Sequence, residues 1–82
     1  MSATNEDILI EFEKILNDEN VPKNIKSKIT EIISTLNYQE NTQEFNTNKA
    51  LQELDEVSEE TNIPEHTRTQ IWGIASLLES LK

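Results

Sequence analysis

The chain holds no cysteine, one glycine, one histidine, four aromatic side chains among Phe, Tyr and Trp, and seven basic residues against sixteen acidic ones. Each scarcity excludes something. Without cysteine there is no disulfide, no thiol nucleophile and no thiolate metal site, and a reducing compartment is the expectation. With Gly73 alone, no glycine-rich loop can wrap backbone amides around a phosphate. No apolar run approaches the length a bilayer needs, so no membrane span is expected. Residues 1–7 lack the positive charge and apolar stretch of an export signal, which leaves the cytoplasm as the expected location. The net charge of −9 repels nucleic acid and anionic lipid over the surface as a whole.

What the chain does have is a spare but patterned set of apolar residues. At 82 residues and 34% hydrophobic it reads as one domain, near the size at which a core suffices without disulfides or metal, with little volume left for a pocket. Nine Asn and four Gln, both thermolabile, argue for a mesophilic source. The apolar residues recur at helical spacing in four stretches. Ile8, Leu9, Phe12, Ile15 and Leu16 mark the first, with Thr4 or Asn5 as cap and Glu6 and Asp7 favoured by the helix dipole. Ile25, Ile29, Ile32, Ile33 and Leu36 mark the second, opened by Pro22 in a first turn whose amides lack intrahelical partners. Residues 37–41 have no periodicity and read as the longest connection. Thr42 caps a third helix lined by Thr47, Ala50, Leu51, Leu54 and Val57. Asn62 and Glu65, spaced as a capping box around Pro64, open a fourth with Ile71, Ile74, Ala75, Leu78 and Leu81. The expected helices therefore span about 6–17, 22–37, 43–60 and 64–81.

Shifting the sequence by 42 residues lays the second half on the first. Asn20 meets Asn62, Pro22 meets Pro64, Ile29 meets Ile71, Ile32 meets Ile74, Ser34 meets Ser76 and Leu36 meets Leu78. The internal repeat covers about residues 8–36 and 50–78, each half a helix, a turn, a proline and a helix. A lone hairpin cannot cover its apolar face, so the expected fold is all-α, a four-helix arrangement of two similar antiparallel hairpins.

Candidate chemistry is sparse. His66, the one side chain of a type that titrates near neutral pH, stands in the first turn of the fourth helix. It has neither a thiol to activate nor a second histidine to share a metal, so no catalytic residue is assigned and a structural role is favoured. Glu53, Asp55, Glu56, Glu59 and Glu60 crowd the end of the third helix, but no calcium-loop spacing or Glu-x-x-His pair accompanies them. They read as a solvated face relieved by lysines of the second helix, with no metal or cofactor assigned. Lys23, Lys26 and Lys28 form the only basic cluster, and pairing with the acidic helices, or with a complementary patch on another subunit, is preferred over nucleic-acid binding. Trp72 and Leu77 replace Thr30 and Thr35 of the first half and flank the main stripe, where they either widen the buried face or mark an association surface.

The run from Asn62 to Trp72, together with residues 21–25 and 54–58, resembles a family of small uncharacterised archaeal proteins. Its most specific part is Pro64, His66, Arg68, Thr69, Ile71 and Trp72. The likeness covers most of the chain from Ile15 onward and implies a cytoplasmic helical bundle with no assigned activity. The functional expectation is a non-enzymatic interaction or structural protein whose partner is itself, with Trp72, Leu77, His66 and Arg68 as the possible surface. The alternative is a small ligand-binding or regulatory protein using His66 and Arg68.

Overall fold

The computed structural model describes residues 5–80, with side chains from Glu6 onward. The four apolar stripes become α1 (Asn5–Leu16), α2 (Lys23–Leu36), α3 (Gln43–Ser58) and α4 (Glu65–Ser80), and the described residues contain no strand. Capping of α1 by the Thr4 or Asn5 side chain, and the place of Leu81 on the α4 stripe, lie outside the described residues.

The helix ends follow from where orphan backbone groups find partners. Pro22 is extended, with ψ of 152°, and its carbonyl accepts the amides of Ile25 and Lys26 at 3.1 Å. It therefore stands just outside α2 rather than in its first turn. Pro64 does the same for Thr67 and Arg68, at 3.1 and 3.2 Å. This displaces the expected capping box, because Asn62 lies two residues upstream of the residue that flanks α4. Thr42 caps α3 as its sequence indicates, its Oγ1 accepting the Phe45 amide at 3.1 Å. The connections are residues 17–22, 37–42 and 59–64, six each, so the middle one is no longer than the others. They match because α1, α2 and α3 exit alike. Asp18, Tyr38 and Glu60 donate to the carbonyls three residues back, Ile15, Thr35 and Val57, tightening the last turn and ending α3 before residue 60.

Consecutive helices pack side by side, and α4 closes back onto α1, while the backbones of the diagonal pairs α1/α3 and α2/α4 stay more than 8 Å apart, Cα to Cα, among the described residues. The most extensive contact joins α2 to α3, across the midpoint of the chain. The Cα radius of gyration is 12.0 Å, close to the roughly 12 Å that a compact chain of this length shows. At the centre lie Ile8, Phe12 and Ile15 of α1, Ile25, Ile29 and Ile32 of α2, Ala50, Leu54 and Val57 of α3, and Ile71, Ile74 and Leu78 of α4. Val21 and Ile63, each just before a proline, seal one end. Fully burying such a side chain contributes about 1.5–3 kcal/mol, which is how a chain with so few apolar residues holds together. Burial also recurs at the 42-residue offset. Ile8 and Ala50, Phe12 and Leu54, Ile15 and Val57, Val21 and Ile63, Ile25 and Thr67, Ile29 and Ile71, and Ile32 and Ile74 are buried in both halves.

Candidate functional site

The two proline turns meet at one end of the bundle, and there His66, Arg68, Lys28 and Glu60 are engaged within the chain. Asp18, in the α1–α2 turn, accepts the Asn20 amide at 2.9 Å through Oδ1. Its Oδ2 accepts Nε2 of His66, in the first turn of α4, at 2.6 Å. The imidazole bond, helped by the Asn20 amide, holds the Asp18 carboxyl below the usual aspartate range. Lys28 of α2 reaches Glu60 of the α3–α4 turn at 2.5 Å. Both pairs tie the first half of the chain to the second. Arg68 turns back instead: Nε donates to the Ser58 carbonyl at 3.0 Å and Nη2 to the Glu60 carbonyl at 2.9 Å. Its guanidinium thus closes the C-terminus of α3, satisfying orphan carbonyls and opposing the negative end of the helix dipole.

His66 and Arg68 are each engaged within the chain but with different partners: His66 joins α4 to the α1–α2 turn, and Arg68 joins it to the end of α3. Neither lines the hollow at the other end of the bundle. The lysine cluster disperses: Lys28 is paired with Glu60, Lys26 is half-buried near Asp18, and Lys23 is exposed. Among the described residues, no three Asp, Glu or His side chains are grouped as a metal ion would require.

Trp72 and Leu77, treated alike in the sequence, separate here. Leu77 packs against the edge of the core and widens the buried face. Trp72 is 58% exposed, the most exposed of the large apolar side chains among the described residues, and beside it Gly73 opens onto empty space.

The opposite end of the bundle holds a feature that the sequence did not signal. An open hollow of about 390 Å³ has Ile8, Leu9, Phe12, Ile33, Leu36 and Leu78 as an apolar floor and Asn37, Gln39, Asn41, Gln43 and Asn46 as an amide rim. Asn46 is buried and donates its side-chain amide to the Tyr38 carbonyl at 2.6 Å, anchoring residues 37–42 onto α3. The Tyr38 hydroxyl donates to Glu40 at 2.7 Å, a bond to a carboxylate that, with partial burial, pushes the phenol above its usual value. A buried asparagine in an otherwise polar stretch leaves no periodic trace, so sequence reasoning passed over it.

An acidic all-α protein of four cyclically packed helices, its two halves tied by the Asp18–His66 and Lys28–Glu60 pairs, is the class these features define. The chain belongs to the Uncharacterised protein family (UPF0147), whose model matches residues 2–81. It is 36% identical over 74 residues to a UPF0147 protein of Sulfurisphaera tokodaii, covering 90% of this chain and 83% of that one. A UPF0147 protein of Methanosarcina mazei is 35% identical over 70 residues, covering 85% and 75%. A solved structure, described as the crystal structure of unknown function protein MMP1188, superimposes with a TM-score of 0.87 at 37% identity, covering 100% of this chain and 98% of that chain. These relatives are archaeal, and no activity is assigned to the family.

Proposed function

We propose that this protein is a non-enzymatic interaction module that associates with a second copy of itself, without cofactor, in the cytoplasm. The observation that carries the proposal is Trp72, a residue type enriched at interface anchors, held 58% exposed on the outside of α4. In the first half the same position is Thr30, which suits solvent, so the repeat makes the aromatic residue conspicuous. The proposal also takes the chain as one domain of two repeated halves, about residues 8–36 and 50–78, supported by the paired burial at the 42-residue offset.

The competing reading, a ligand site built on His66 and Arg68, draws less support because both side chains are engaged within the chain. Nucleic-acid binding through Lys23, Lys26 and Lys28 is opposed by the net charge and by the Lys28–Glu60 pair. Light scattering over a concentration series tests the proposal. Rising mass with concentration is the expected result, and a strict monomer at millimolar protein would overturn it.

A further inference from the structure

The outer face of α4 carries no charge through its middle. Residues 69–78 form the longest uncharged run in a chain of net charge −9 in which 28% of residues are charged. Within that run Thr69, Trp72, Gly73 and Ser76 are exposed and fall at helical spacing on one stripe. The other three helices each place charged residues at exposed positions, such as Glu13 on α1, Glu31 on α2 and Asp55 on α3.

Gly73 makes this face more than an absence of charge. Mid-helix glycine is less favourable than alanine by about 0.5–1 kcal/mol. Where a neighbouring element crowds the backbone, that cost has an internal reason. Here it has none, since a Cβ built on Gly73 meets nothing within 4 Å. The space lies open beside an indole that is itself uncovered.

Resting on the self-association reading above, the geometry points to one occupant and one register: the α4 face of a second copy, packed antiparallel about a two-fold axis that crosses α4 between Trp72 and Gly73. An isologous contact requires the same patch to complement itself. In this register each Trp72 lies over the bare backbone of the partner's Gly73, and Thr69 faces the partner's Ser76, so each large side chain meets a small one. Charge selects the same face. Two copies each carrying −9 repel, and the uncharged middle of α4 lets them approach without setting carboxylate against carboxylate. One helix face per copy is a small interface, so the dimer is weak and forms with rising concentration.

Trp72 is the one tryptophan in the chain, so its emission reports the contact directly. The experiment compares the intact wild type with Gly73→Gln by light scattering and tryptophan fluorescence over a concentration series, with a thermal melt of each at low concentration. The expected result is a wild-type dimer whose emission shifts to the blue as it forms. In Gly73→Gln the melt is unchanged or raised while association weakens at least about thirtyfold, since the two-fold axis places the substitution in both Trp72–Gly73 contacts. Dimerisation of Gly73→Gln with wild-type affinity overturns this interface and leaves self-association standing. A monomeric wild type removes the self-association reading and this inference with it.

Discussion

Thr67 offers the sharpest test of the packing. It is 0% exposed, and its Oγ1 is buried without a hydrogen-bond partner. A hydroxyl taken from water into an apolar site with no partner costs about 1–3 kcal/mol, whereas a methyl of nearly the same shape costs nothing to desolvate. Ile25, at the same place in the first turn of α2, is also 0% exposed, so the fold accepts an aliphatic side chain at such a position. Helix propensities of valine and threonine are close, so they do not blur the result. Thr67→Val is expected to stabilise the protein by about 1–2 kcal/mol, raising the melting temperature by roughly 5–10 °C for a domain of this size. Thr67→Ser, which keeps the hydroxyl and deletes the methyl, should destabilise by about 1 kcal/mol. Urea unfolding of the three proteins decides between the accounts. A lower midpoint for Thr67→Val at an unchanged m-value would show that the hydroxyl makes a stabilising bond, refuting the reasoning.

Three further predictions follow from the ends and the outer face of the bundle. Arg68→Ala removes two charge-assisted bonds to the α3 C-terminus and should lower stability by about 1.5–3 kcal/mol; Arg68→Lys, which keeps the charge without the planar fork, should recover only part of it in chemical denaturation. The Asp18 carboxyl is held down in the folded state, so the folded protein binds that proton more weakly than the unfolded chain. Its contribution is complete above the ordinary aspartate value of about 4 and is lost as pH falls through the lowered folded value. Asp18→Asn should accordingly flatten the acid limb of stability against pH, and an identical acid limb in both proteins would contradict the His66 bond. Gly73→Ala, adding a Cβ into open space, should raise the melting temperature of the dilute protein, equivalent to about 0.5–1 kcal/mol by calorimetry.

The family is legible in the run from Pro64 to Trp72, and the fold is legible because helix formation here is a local matter. Apolar spacing set the four helices, and proline and Thr42 set their starts. The helix ends lie within one or two residues of the spans expected from sequence, and their exact places depend on exit-turn bonds to carbonyls three residues back rather than on composition. The polar residues were a different case. His66, Arg68 and Lys28 carry the same side chains whether they wait for a ligand or bind their own protein, and their partners Asp18, Ser58 and Glu60 lie 48, 10 and 32 residues away.

Sequence alone thus determined the acidic charge, the four amphipathic helices and the two large apolar residues, Trp72 and Leu77, that flank the main stripe of the fourth. Only the tertiary structure could part those two, seating Leu77 against the core and leaving Trp72 outside beside the open Gly73. A helix defines the angle at which each residue leaves it, but which angle meets a neighbour is decided by where the other three helices pack.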